Sequence, residues 1–182
     1  MKKSKLISML SVLDKKELKS FALFTKSPYF NKDEDLIKLN DCLIKCAPDF
    51  SEEKLKKEVV FKAIFPEITF DEKKLGYLMS GLTKLVEKFF QIHLFEAEKF
   101  HKPQYSLKAL LNHKKLNFFE REYQKVEHEL NEIEKKDQNY FLDRFQISEL
   151  SLEHFNMLQI RKHNNALQIA SDNLDKFYLS AK

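Results

Sequence analysis

Glycine and proline, the residues that most often let a chain turn tightly, are scarce in this sequence: its 182 residues include two glycines and four prolines. β-Hairpins usually turn on Gly, Asn-Gly or Asp-Gly, and neither of these dipeptides occurs here. Lys, Leu and Glu, which are common in the chain, are good helix formers. We therefore predict an all-α protein, and the same composition disfavours all-β and α/β folds.

The apolar and charged residues, 43% and 33% of the chain, are in the proportions of a globular protein. No apolar run approaches the ~20 residues of a membrane-spanning helix, so we expect no membrane partner. The apolar run from Leu6 to Val12 is too short for a secretion signal. The two cysteines, Cys42 and Cys46, provide neither a disulfide framework nor a complete zinc site. These features favour a cytoplasmic location.

The first half of the chain, residues 1–101, is predicted to be an antiparallel helical bundle. Asp14 and Glu17 have the spacing of a capping box, which predicts that the helical pattern of residues 5–26 breaks near Leu13. We therefore expect the bundle to begin with two short helices.

The rest of this bundle is predicted from further capping residues. Asn31 and Ser51 are expected to cap helices that run to about residues 46 and 64, and Asp71 is expected to begin a longer helix. Apolar residues recur in that helix every three or four positions, which is the period of one helical face: Leu75, Leu78, Leu82, Leu85, Phe89 and Ile92. Both glycines lie inside it, where each costs about 1 kcal/mol relative to Ala.

The second half, residues 104–182, is predicted to consist of helix hairpins. Lys102-Pro103 is expected to break the chain, and Ser106 to cap a short helix. Beyond the break we predict four helices, over residues 107–113, 117–136, 140–160 and from 164 to the end. The second of these has the clearest amphipathic pattern in the protein, with apolar residues at Leu116, Phe119, Tyr123, Val126, Leu130 and Ile133.

A short sequence recurs within this half: Leu142-Asp143-Arg144-Phe145 is followed 32 residues later by Leu174-Asp175-Lys176-Phe177. The interval is close to the ~34-residue helix hairpin of tetratricopeptide proteins. Residues 117–182 therefore resemble a tetratricopeptide-like array, although the Trp and Leu-Gly positions of that family's pattern are absent. The resemblance implies that the hairpins are the start of a right-handed helical-repeat array.

No complete catalytic or metal-binding motif occurs in the sequence. His128-Glu129 begins the pattern of a zinc-protease helix, but Glu132 stands where that pattern requires a second histidine. A chain with two glycines cannot form a glycine-rich phosphate loop. His93 lies among apolar positions and fits a packing role better than a ligand or base. We therefore expect no catalytic site, no metal and no cofactor, and favour a function other than catalysis.

Two groups of apolar residues are candidates for contact with a partner. Tyr29 and Phe30 follow a proline in a predicted loop, and they form either a ligand-facing patch or a packing contact between the flanking helices. Leu174, Phe177 and Tyr178 share one face of the final helix, which lacks the usual stop signals. That face either folds back onto the preceding helix or marks an interface, with a partner or with further helices of a longer chain.

Two functional hypotheses follow from these observations. The first is a helical scaffold or protein-interaction module, because the layout is that of helix hairpins and catalytic motifs are incomplete. The second is a nucleic-acid-binding helical domain, because residues 1–26 contain seven lysines against Asp14 and Glu17. We favour the first, since Lys and Glu are interspersed after residue 30 and no motif of a DNA-reading helix is present.

Overall fold

The computed structural model describes residues 1–97, 101–159 and 164–180. Helices make up 74% of the described residues, and no strand occurs among them, which confirms the predicted all-α class. The helices of the described residues are α1 (Lys5–Leu10), α2 (Lys15–Lys26), α3 (Glu34–Ile44), α4 (Lys57–Ile64), α5 (Glu72–Ala97), α6 (His101–Asn112), α7 (Leu116–Asn131), α8 (Gln138–Met157) and α9 (Asn164–Ser180).

The chain divides into two compact units, Met1–Leu94 and Phe95–Lys182, and the division falls near the end of α5. Each unit has its own core, because the buried apolar residues form two separate clusters. The first cluster draws on all five helices of the first unit, and its fully buried members include Leu10, Phe21, Leu39, Leu43, Val60, Leu82 and Val86. The second cluster consists of Leu107, Leu111, Phe119, Val126, Leu130 and Ile147.

The predicted break near Leu13 is confirmed by a complete capping box at the start of α2. The Asp14 carboxylate accepts hydrogen bonds from the backbone N–H groups of Lys16 (2.6 Å) and Glu17 (2.8 Å). The Glu17 carboxylate in turn accepts one from the backbone N–H of Asp14 at 2.8 Å. These bonds satisfy donors that the first turn of a helix leaves unpaired.

The prediction that Asn31 caps α3 is wrong, because Asp33 occupies that position. The Asp33 carboxylate accepts hydrogen bonds from the backbone N–H groups of Asp35 and Leu36. Asn31 is buried instead, and its side-chain amide donates to the backbone carbonyls of Thr25 (2.9 Å) and Asp33 (3.0 Å). A buried amide of this kind holds a loop, since it replaces the hydrogen bonds that the loop backbone lacks.

The prediction that Ser51 caps the next helix is also wrong. Residues 52–55 form turns, and α4 begins at Lys57 without a side-chain cap. Those turns bury the side chain of Leu55 completely in the first core. Burial of that residue takes precedence over a local capping signal, because a fully buried Leu stabilises by roughly 1.5–3 kcal/mol and a cap by about 1 kcal/mol.

Helix α5 follows its sequence pattern closely. It begins at Glu72 after Asp71, whose carboxylate accepts a hydrogen bond from the backbone N–H of Lys74 at 3.0 Å. Five positions of the predicted apolar stripe are buried: Leu75, Leu78, Leu82, Leu85 and Phe89. The ring of Phe89 packs against two rings of α2, with centroid distances of 5.4 Å to Phe21 and 5.6 Å to Phe24.

The predicted break at Lys102-Pro103 is wrong, as is the cap at Ser106. Helix α6 begins at His101, so Pro103 lies in its first turn and Ser106 in its interior. Proline is compatible with the first turn, since the N–H that it lacks would have no partner within the helix there. Lys102 and Pro103 therefore lie within a helix rather than between two helices.

The amphipathic stripe of α7 is confirmed. Phe119, Val126 and Leu130 are between 1% and 4% exposed and belong to the second core. The helix ends at Asn131 rather than near residue 136, and Asp137 then caps α8 by accepting a hydrogen bond from the backbone N–H of Tyr140.

The helices of the second unit contact one another in a regular order. Helix α6 packs against α7 and α8, α7 also packs against α8, and α9 packs against α8. The α8–α9 pair forms the most extensive helix–helix contact among the described residues. Helix α8 is therefore the central helix of this unit.

Candidate functional site

A groove of about 460 Å³ lies between α6 and α8 in the second unit. We call it the α6–α8 groove and define it by the residues that line it: Gln104, Tyr105 and Lys108 of α6, and Gln146, Glu149, Leu150 and Glu153 of α8. The α8 residues have the spacing of a single helical face, so they form a continuous stripe along the groove.

A hydrogen bond between side chains joins the two walls of the groove. The amide of Gln104 donates to Oδ1 of Asp143 at 2.9 Å, and Asp143 is 6% exposed. Because α6 begins at His101, Gln104 lies in its first turn and reaches α8 from there. The bond fixes the position of one end of α6 relative to α8.

The lining of the groove combines three kinds of chemistry. Glu149 and Glu153 lie one helical turn apart, and with Lys108 they give the lining a net charge of −1. The amide side chains of Gln104 and Gln146 each supply a donor and an acceptor, which is the combination that a peptide group pairs with. Such a surface can pair with positive charge and exchange hydrogen bonds with a ligand.

Tyr105 adds an exposed aromatic surface at the groove. Its side chain is 61% exposed, and its ring packs edge-on against Phe95 with a centroid distance of 5.4 Å. An aromatic side chain held in this way offers a large contact area at a low cost in conformational entropy, which is why Tyr is common in binding sites.

A polar network on another side of α8 joins it to α7. The Tyr123 hydroxyl donates to Oε1 of Glu127 at 3.2 Å, and Arg144 donates to Oε2 of the same carboxylate at 3.1 Å. Burial, with the nearby Glu127 charge as a second cause, raises the pKa of Tyr123 to about 12. The Arg144 side chain is 16% exposed, so this ion pair is largely shielded from water. The network therefore stabilises the α7–α8 pair and supports the groove from behind.

The structure places the two loop candidates, Tyr29 and Phe30, in different environments. Tyr29 is 85% exposed. Phe30 is partly buried against the first core and stacks on Phe24 at a centroid distance of 4.1 Å. Of the two alternatives for this loop, Phe30 fits the packing contact and Tyr29 is free to face a ligand.

The three candidates on α9 are likewise divided. Leu174 and Phe177 are partly buried, whereas Tyr178 is 63% exposed. Ala170 and Asn173 are buried on the same helix, and α9 packs against α8. The partial burial of Leu174 and Phe177 fits the alternative in which this face folds back onto α8. Tyr178 remains exposed to solvent.

The residues considered for metal or redox chemistry do not gather into a site. Within the described ranges, no three His, Cys, Asp or Glu side chains lie close enough together to hold a metal ion. Cys42 and Cys46 are free thiols, and burial raises the pKa of the Cys42 thiol. His93 is exposed rather than buried, and its ring stacks on Phe89 at 5.5 Å.

Sequence reasoning did not identify the α6–α8 groove. Its residues are about forty positions apart in the chain, and the start of α6 was predicted too late to place Gln104 and Tyr105 on a helix. One signal was present: Gln146, Glu149 and Glu153 form a polar stripe on a helix that otherwise reads as apolar on several faces.

Comparison with protein-family models, with curated proteins and with solved structures finds no match to this chain. Among the residues that the structure describes, no helix has the length and apolar character needed to cross a bilayer.

Proposed function

We propose that this protein is a non-catalytic binding module whose second unit holds a positively charged polypeptide segment in the α6–α8 groove. The observation that carries the proposal is the groove itself, in which two carboxylates one turn apart and two amides lie beside the exposed ring of Tyr105. Concave surfaces with a few convergent polar groups are the usual places for ligands.

The packing order of the helices supports the same function. In a tandem array of helix hairpins, the two helices of one hairpin pack together and the first helix of the next hairpin packs on both. Helices α6 and α7 followed by α8 and α9 contact one another in this order. Under the proposal, α6 and α8 are the equivalent first helices of two hairpins, and the groove lies between them.

The two carboxylates of the groove account for only part of the expected affinity. Exposed ion pairs contribute about 0.2–1 kcal/mol each. Two pairs, one on Glu149 and one on Glu153, therefore alter affinity by about 2- to 30-fold. The partner accordingly also depends on contact with Tyr105 and with the amides.

A phage-displayed library of random peptides tests the proposal directly. Peptides selected on the wild-type protein should be enriched in Lys and Arg, and calorimetry should give affinities that fall about 2- to 30-fold in the variant Glu149→Gln/Glu153→Gln. The variant Glu129→Gln/Glu134→Gln carries the same charge change at exposed positions outside the groove and should bind as the wild type does.

Two outcomes would contradict the proposal. One is the absence of any selected peptide. The other is a set of peptides that the groove variant and Tyr105→Ala bind as tightly as the wild type does.

A further inference from the structure

Four of the six exposed residues of α2 in the first unit are lysines. The inward positions of this helix, Leu18, Phe21, Phe24 and Thr25, are buried in the first core. Exposed residues occupy the opposite side, and we call the following set the α2 lysine face: Lys15, Lys16, Lys19, Leu23 and Lys26. The helix has 12 residues, so the face extends over about 18 Å.

The acidic residues beside this face offset its charge only in part, through the attraction between the Asp14 carboxylate and Lys16. Asp14 and Glu17 are engaged with each other's backbone in the capping box, and Glu17 also lies 3.5 Å from the His93 ring. Among the described residues, Lys26 pairs with Asp41 at 3.0 Å, whereas no carboxylate forms an ion pair with Lys15, Lys16 or Lys19. Three ammonium groups are therefore available to an anionic partner.

The wider charge distribution has the same bias. Residues 1–94 contain 18 lysines against 14 acidic residues, whereas residues 95–182 contain 14 basic and 14 acidic residues. The net charge of +4 thus belongs to the first unit. That unit contains no arginine. Lysine contacts phosphate as a point charge, whereas arginine and amide side chains are the usual readers of base edges.

Tyr29 follows the last lysine of the α2 lysine face, Lys26, by three residues in the chain and is 85% exposed. Its ring packs edge-on against Phe30 at 4.9 Å, and Phe30 stacks on Phe24 of the core. The buried amide of Asn31 holds the same loop through hydrogen bonds to two backbone carbonyls. The ring is therefore presented to solvent on an ordered loop.

We propose that the α2 lysine face and Tyr29 bind single-stranded nucleic acid without sequence preference, with lysines on phosphates and the Tyr29 ring stacked on a base. Surfaces that bind single strands combine a basic track with aromatic rings in this way. The inference does not depend on the α6–α8 groove, which lies in the other unit.

Two other anionic partners fit the observations less well. Protein interfaces are enriched in arginine and depleted in lysine, whereas every cation of this face is a lysine. Helices that lie on membranes insert a broad apolar face, but the apolar face of α2 is buried in the core, and Leu23 is the one apolar residue among its exposed positions.

Fluorescence anisotropy with labelled oligothymidylate and oligouridylate tests the inference on the whole chain. The expected dissociation constant at physiological salt is on the order of 10⁻⁶–10⁻⁴ M. Three phosphate contacts predict a slope of about −2 for the logarithm of the association constant against the logarithm of salt concentration. The variant Lys15→Gln/Lys16→Gln/Lys19→Gln should abolish binding and its salt dependence.

A second triple variant, Lys54→Gln/Lys62→Gln/Lys73→Gln, changes the net charge equally at exposed positions elsewhere in the first unit and should retain binding. Tyr29→Ala should weaken binding by about 5- to 150-fold and Tyr29→Phe should not, because both rings can stack. Circular dichroism confirms that each variant is folded.

The inference is overturned if the two triple variants lose affinity equally, or if Tyr29→Ala binds as the wild type does. Absence of oligonucleotide binding at low salt overturns it too, and association with vesicles of anionic phospholipid in that case would identify a membrane surface as the occupant.

Discussion

The two glycines of α5 provide a controlled test of the packing in the first unit. Replacement of glycine by alanine in a helix interior gains about 1 kcal/mol of helix propensity. At Gly76 the added Cβ would meet open space, with no atom within 4 Å apart from the adjoining residues and backbone of its own helix. We therefore expect Gly76→Ala to raise the free energy of unfolding by about 0.5–1 kcal/mol.

Gly81 is in a different environment, although the substitution is identical. Its Cβ would lie 3.1 Å from Cδ2 and 3.3 Å from Cδ1 of Leu36, whereas carbon atoms prefer about 3.5–4.0 Å. Leu36 is 9% exposed and belongs to the first core, so its side chain has little freedom to move. Overpacking of this kind costs about 1–3 kcal/mol. We expect Gly81→Ala to range from neutral to destabilising by about 2 kcal/mol.

Scanning calorimetry measures both effects, since 1 kcal/mol shifts the melting temperature of a domain of this size by about 4–8 °C. The double variant Leu36→Ala/Gly81→Ala isolates the cause. In the Leu36→Ala background the clashing methyl groups are gone, and Gly81→Ala should then stabilise about as much as Gly76→Ala does. If Gly81→Ala stabilised the otherwise wild-type chain as much as Gly76→Ala, the packing of Leu36 against this glycine would be refuted.

Two further predictions concern the second unit. Phe119 is 1% exposed and its neighbour Phe118 is 59% exposed. Phe119→Ala should therefore lower the free energy of unfolding, measured in urea, by about 3–5 kcal/mol, and the control Phe118→Ala should change it by less than about 0.5 kcal/mol. Equal effects of the two variants would contradict the assignment of Phe119 to the core. The pKa of Tyr123 is raised to about 12, so its contribution to stability is complete below the unfolded-state value of about 10 and is lost as pH rises through about 12. Urea midpoints measured across this range should fall more steeply for the wild type than for Tyr123→Phe, and parallel curves would argue against a buried phenol.

Helical periodicity predicted the long elements well, because it reports which side of a helix meets the core. The stripes of α5 and α7 are buried as their spacing requires, with Leu82 and Phe119 among the least exposed side chains. The capping box of Asp14 and Glu17 was also recognisable, since both of its partners lie within four residues. Features that depend on local contacts were therefore accessible from sequence.

Single capping residues were less informative, since several polar residues compete for each helix start. Asn31 and Ser51 both have the right chemistry for a cap, but α3 starts after Asp33 and α4 after Lys56. Asp33 lies closer to the first apolar residue of α3, and the buried Leu55 delays α4. Burial in a core formed by distant residues is not visible in a window of a few positions.

The scarcity of glycine predicted the fold class correctly, yet the helices still require tight connections. After α6 the backbone N–H of Lys115 donates to the carbonyl of Leu110 and that of Lys114 to the carbonyl of Leu111, both at 2.8 Å. This is the Schellman arrangement, which normally places glycine where Lys114 has φ = 55°. The sequence located this connection, between the predicted helices 107–113 and 117–136, but a lysine at the glycine position gives no sign of the turn type.

The cations of the two units lie in different environments, and salt should affect them differently. Arg144 of the second unit is 16% exposed and forms a fork between Glu127 and Asn131, where a planar, always charged group suits a shielded site. The unpaired lysines of the α2 lysine face are exposed to solvent instead. Shielded pairs are screened little by salt, whereas exposed charges are screened within about 10 Å at 0.1 M. Added salt should therefore leave the α7–α8 contact intact and weaken the binding of nucleic acid to the α2 lysine face. If binding falls steeply with salt while the helix content measured by circular dichroism stays constant, the loss arises at the surface of α2 and not from unfolding.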